Sequence, residues 1–128
     1  MSNKFPMTNY QPKYKVIDHP SDIGIEAFGK DQKELFQNAA YGMMDMMFET
    51  FEAKPDQKFD IKVSAENMES LMVSWLSELL YIADSKKVQL SAFNISKITD
   101  EELEASALGG KYTRSKGSLR RQLIISWR

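Results

Sequence analysis

Between Asp22 and Gly29 the chain alternates. Ile23, Ile25 and Ala27 fall on one side and Gly24, Glu26 and Phe28 on the other, the period of a strand with one buried face. A shorter apolar run, Tyr14–Asp18, precedes it and is predicted to be its hairpin partner, turned through His19-Pro20-Ser21. The period then changes. Advancing 100° per residue, Phe36, Ala39, Ala40, Met43, Met47 and Phe51 share a face, with Glu34, Asn38, Asp45, Glu49 and Glu52 opposite. Asp31 followed three residues later by Glu34 reads as the capping box that starts this helix. Pro55 ends it, and 58–64 alternates again as a short strand.

A second amphipathic helix is predicted from Asn67 to Lys87. Met68, Leu71, Met72, Trp75, Leu76, Leu79, Leu80 and Ala83 form its apolar stripe, and Ser70, Ser74, Ser77, Tyr81 and Asp84 face away. Residues 88–98 and 101–110 read as paired strands turned at Thr99 and Asp100, and 120–128 as a final strand. The order β-β-α-β-α-β-β-β predicts an α+β domain, two amphipathic helices packed on a largely antiparallel β-sheet. Residues 1–13, with Pro6, Pro12 and many polar side chains, are expected to be a flexible N-terminal arm, and 14–128 a single domain.

Composition narrows the chemistry. With 128 residues the chain has the size of one domain, and 42% hydrophobic and 27% charged residues suit a globular protein. A net charge of −1 argues against a general nucleic-acid-coating role. There is no cysteine and only one histidine, which excludes disulfides, thiol catalysis and multi-histidine zinc sites. No apolar segment approaches the roughly 20 residues of a membrane span, so a cytoplasmic location without membrane association is expected.

The chemistry-bearing side chains gather at Asp18, His19 and Asp22, around the turn between the first two strands. Three readings stand side by side. Asp, Ser and Pro start turns and hydrogen-bond locally. Two carboxylates beside a strand end also offer oxygen ligands to a hard cation, which relieves their mutual repulsion. His19 oriented by an aspartate suits a general base, although nothing in the chain marks a nucleophile or oxyanion hole for it. The methionines of Tyr41–Phe48 and Trp75 read as core rather than as an adaptable binding groove. Lys111, Arg114, Lys116, Arg120, Arg121 and Arg128 make a basic tail. It is either a solvated hairpin or a patch facing an acidic partner or phosphate, and Arg114, Lys116, Arg120 and Arg121 form the candidate partner-facing part.

The stretch DHPSDIGIEAFGKDQKELFQNAAYGMMDMM closely resembles the N-terminal motif of the archease family, in which an Asp/Glu-His-Thr-Ala-Asp-like turn leads into a strand, a glycine and a helix. ESLMVSWLSELLYIAD is similar to that family's second-helix segment, in the same order and spacing, and the resemblance runs from about Tyr14 to about Gln122. It implies an accessory protein rather than a stand-alone enzyme. Such a protein promotes guanylylation and multiple turnover of the GTP-dependent tRNA-splicing ligase, with RNA association only indirect. It also implies a divalent ion, calcium rather than magnesium, with Asp22 as ligand and Asp18 and His19 supporting the turn. The alternative is a protein- or RNA-binding module of the same fold without the metal and ligase role.

After Gln122 the sequence leaves the family pattern. The family's lysine would fall at Ile124, and its terminal aspartate has no counterpart. The C-terminal half of the ligand set is therefore expected to be missing. If the family's final strand is missing too, an open sheet edge remains, and some self-association is expected.

Overall fold

The computed structural model describes residues 13–18, 23–48, 54–111 and 123–127, and for 17, 18, 23–25 and 123–127 the backbone alone. The elements run β1 (Tyr14–Asp18), β2 (Ile23–Ala27), α1 (Gln32–Met47), β3 (Gln57–Ser64), α2 (Met68–Lys86), β4 (Val88–Ile98), β5 (Glu102–Lys111) and β6 (Leu123–Trp127). The two helices pack on mostly antiparallel strands, as the sequence pattern predicts, but the strands form two sheets rather than one. One has the order β1-β2-β6, the other β3-β5-β4. These pairings are antiparallel except β2 with β6, which run parallel. The departure from the family pattern after Gln122 therefore still leaves a strand there, seated on β2.

Both helices start as their capping residues dictate. The Asp31 carboxylate accepts the Glu34 N–H at 2.8 Å, and the Glu34 carboxylate reaches back to the Lys30 N–H at 2.8 Å. Asn67 does the same for α2, accepting the Ser70 N–H at 2.9 Å. At the far end of α2 a single left-handed residue, Lys87 with φ 56°, turns the chain straight into β4. Gly29 precedes α1 where a Cβ would collide with the Leu35 backbone, so the chain passes from β2 against the first turn of α1 only without a side chain there.

β4 shows how apolar spacing becomes geometry. Its inward residues Val88, Leu90, Phe93, Ile95 and Ile98 are spaced by two, three, two and three residues, which a regular strand cannot place on one face. The register against β5 slips twice, between Leu90 and Ala92 and between Ile95 and Lys97, at the two intervals of three. Each slip is a β-bulge that resets the alternation so that all five side chains point to the core side. Ser96, at the second slip, donates its hydroxyl to the Glu104 carbonyl at 3.1 Å.

The core lies around α1, which packs against β4 and α2 on one side and against β1, β2 and β6 on the other, while α2 covers β3, β4 and β5. Met43, Met44 and Trp75 are fully buried, which settles the methionine run as core. The Trp75 indole N–H donates to the Phe36 carbonyl at 2.9 Å, and its ring meets Phe93 edge-on at 6.4 Å. Ile82, outside the predicted stripe, is buried too. The polar face assigned to α1 is not a solvated face. Asn38 is half-buried and donates to the Phe28 carbonyl at 2.7 Å, and half-buried Asp45 accepts the Tyr14 hydroxyl. A second sheet lies over that side of the helix, so its polar groups serve as ties to β1 and the β2–α1 link. Phe51, placed on the helix by periodicity, lies outside the described residues.

Candidate functional site

Asp18 ends β1 directly opposite Ile23, the first residue of β2. The four residues between them therefore join two neighbouring strand ends, which is the hairpin the alternation predicted. On the other flank of β2, Leu123 begins β6 opposite the same Ile23. Because β6 runs parallel to β2, the chain starts this strand at the end of the sheet where the β1–β2 hairpin closes. Asp22 is bonded to Ile23 and Gln122 to Leu123, so the acidic turn and the C-terminal end of the basic run are tethered to adjacent strands at one end of the sheet. Nothing in the linear sequence shows this, since Asp22 and Gln122 are separated by almost the whole domain.

His19 and Asp22 lie outside the described residues, as do Arg114, Lys116, Arg120 and Arg121, and for Asp18 only the backbone position at the strand end is described. Among the described residues no three Asp, Glu or His side chains come together as a metal-binding group. A divalent ion wants about 6–8 oxygens in the case of calcium. The described residues alone do not fit one.

What holds this sheet to the rest of the molecule is well defined. The Tyr14 hydroxyl donates to the Asp45 carboxylate on α1, its ring tilts against Tyr41 at 6.2 Å, and the Lys13 ammonium sits 4.3 Å over the Tyr41 ring. Burial, then the hydrogen bond to anionic Asp45, hold the Tyr14 phenol well above the ordinary tyrosine range. Lys15 and Glu26 pair across β1 and β2 at 3.7 Å. The two strands that the hairpin joins are thus anchored on α1. Sequence reasoning missed the Tyr14–Asp45 tie because the helical wheel assigned Asp45 to solvent.

A second concavity, about 290 Å³, lies on the outer face of the other sheet and is lined by Asp60, Ile61, Lys62, Ser96, Glu104 and Ala105. Lys62 and Glu104 pair across it at 3.8 Å. Lys62 is already paired with Glu104, and the concavity is shallow and open, so it lacks the convergent polar groups of a catalytic pocket. Among the described residues no helix is long and apolar enough to cross a membrane.

Comparison with known proteins covers nearly the whole described chain. The family model described as Archease protein family (MTH1598/TM1083) matches residues 14–123. The archease of Methanosarcina barkeri is 36% identical over 110 residues, spanning 83% of this chain and 75% of that protein. The archease of Sulfurisphaera tokodaii is 32% identical over 107 residues, spanning 81% and 76%. Among solved structures, the solution structure of Methanobacterium thermoautotrophicum protein 1598 superposes with a TM-score of 0.64 at 28% identity. It covers 86% of this chain and 79% of that one.

Proposed function

Because the chain belongs to the archease family, we propose that it is an accessory protein of a GTP-dependent tRNA-splicing ligase, promoting that enzyme's guanylylation and repeated turnover. The observation that supports this reading is the end of the β1-β2-β6 sheet. There the family's acidic turn is tethered between two strands held on α1, with the start of β6 beside it. In this reading Asp22 is the ligand of a divalent ion, calcium in preference to magnesium as the family resemblance implies, its carboxylate being the hard oxygen donor such an ion takes. Asp18 and His19 hold the turn. A bound ion would supply a fixed positive charge among carboxylates that otherwise repel one another. The protein contributes a positioned surface and carries out no bond-making step itself. The role belongs to the cytoplasm, with RNA contacted through the ligase.

The test has two readouts. Ligase guanylylation by GTP is measured with and without the protein, and calcium binding is measured by titration calorimetry on the protein alone. Wild type is expected to stimulate guanylylation and to bind calcium, and Asp22→Ala to lose both while its circular dichroism is unchanged. Absence of stimulation by wild type overturns the accessory role. Unchanged calcium binding in Asp22→Ala overturns the ligand assignment.

A second reading follows from the basic run that leads into β6 beside the same turn. The protein would then be a binding module for RNA or an acidic protein through Arg114, Lys116, Arg120 and Arg121, with no ligase role. It is favoured if RNA binding falls steeply with added salt, and removed if reversing charge at Arg120 and Arg121 leaves binding unchanged.

A further inference from the structure

The two edges of the β3-β5-β4 sheet are built differently. β4 carries two bulges, and α1 covers it, with the Gln37 side-chain oxygen accepting the Ile95 N–H at 3.1 Å. Both devices spoil an edge as a template for another strand. β3 has neither. It pairs with β5 without a register slip over all eight residues, Gln57–Ser64, and among the described residues no strand lies on its other flank. It contains no proline, and its inward positions, Phe59, Ile61 and Val63, carry no charge. Phe59 and Val63 are only half-buried, whereas Leu103, Ala105 and Ala107 facing them from β5 are buried. The apolar layer therefore continues to the edge and stops there.

We propose that β3 is a dimerisation edge, pairing antiparallel with β3 of a second copy of this chain about a two-fold axis at Ile61. The sequence of the strand selects this register. Only a residue paired with its own counterpart keeps the inward faces, and hence the two α2 helices, on the same side of a continuous sheet. Centring on Asp60 sets Asp60 against Asp60 and Lys58 against Lys62. Centring on Lys62 sets lysine against lysine. Centring on Ile61 sets Asp60 of each copy against Lys62 of the other, twice, with Lys58 opposite Ser64 and Phe59 opposite Val63, and uses 58–64 of the strand. Centring on Phe59 matches Lys58 with Asp60 but keeps only 57–61 paired strand to strand. The Ile61 register also gives the half-buried Phe59 and Val63 an apolar cross-strand neighbour, which is the pairing that stabilises antiparallel sheets. This inference does not depend on the ligase role, since β3 belongs to the sheet that does not carry the hairpin.

Sedimentation equilibrium of the full chain from about 1 µM to about 1 mM tests it. Wild type is expected to shift from monomer to dimer across this range. Asp60→Lys, at an exposed position, turns both cross-strand contacts with Lys62 into lysine–lysine repulsions and is expected to weaken dimerisation by about tenfold or more. The double change Asp60→Lys with Lys62→Asp restores opposite charges only in the Ile61 register and is expected to recover the dimer, with circular dichroism confirming the fold of each variant. A wild type that stays monomeric throughout overturns the proposal. So does a dimer indifferent to Asp60→Lys, which would be formed by another edge, or a double change that fails to recover association.

Discussion

Individual side chains act here less through what they are than through what tertiary structure sets beside them. Asp45 reads as a solvated helix residue, yet it is the acceptor that ties Tyr14, and with it β1, to α1. Losing this bond leaves a half-buried carboxylate short of a donor, so Tyr14→Phe is expected to cost about 1–3 kcal/mol in urea unfolding at neutral pH. The pH dependence has a fixed sign. The folded state raises the Tyr14 pKa, so the stabilisation is fully present below the unfolded value of about 10 and declines above it, as the unfolded chain releases a proton the folded one retains. Spectrophotometric titration of wild type should show a late-ionising phenol that Tyr14→Phe removes, and the alkaline fall in stability should be shallower in that variant. Trp75 was legible by contrast, because a tryptophan amid a stripe of leucines and methionines can be buried whole if one carbonyl meets its N–H.

Among the elements, helix starts were readable because they are local. Asp31 and Asn67 each cap through a backbone N–H three residues on. The strand β4 was legible as a strand but not as a bulged one, although its spacing of two, three, two, three contains the bulges. Deleting Ser91 removes the extra residue and leaves Leu90, Phe93 and Ile95 at regular intervals of two, still opposite Gly109, Ala107 and Ala105, so it is expected to cost no more than about 1 kcal/mol. Deleting Asn94, in the regular stretch, instead makes Phe93 and Ile95 neighbours on opposite faces and turns one of them to solvent, where such a side chain is worth about 1.5–3 kcal/mol of burial. Chemical denaturation of both variants checks this, and equal stability would disprove the bulge argument.

In the molecule as a whole, α1 is the centre of the architecture, since it is packed between two three-stranded sheets. That position explains its small residues. Ala39, Ala40 and Gly42 are buried on a helix that must approach neighbours on both sides. Ala40→Leu is expected to push the layers apart and cost about 1–3 kcal/mol, measured as a lowered urea midpoint. A neutral result would mean that α1 has more room than its full burial indicates. The same sandwich fixes the functional end of the molecule, because strands tethered to α1 present the β1–β2 hairpin and the start of β6 together.

Local pattern was enough to establish the elements, the helix caps, the apolar core stripes and the family motifs, because periodicity, capping and turn chemistry depend on residues a few positions apart. It also singled out Asp18, His19 and Asp22, since three chemistry-bearing residues in five positions stand out without any fold. The division of the strands into two sheets with α1 between them came only from the folded arrangement. So did the half-burial of the polar face of α1 and the placing of the start of β6 beside the acidic turn. These are pairings between residues tens of positions apart, and no local pattern encodes which strand will lie beside which.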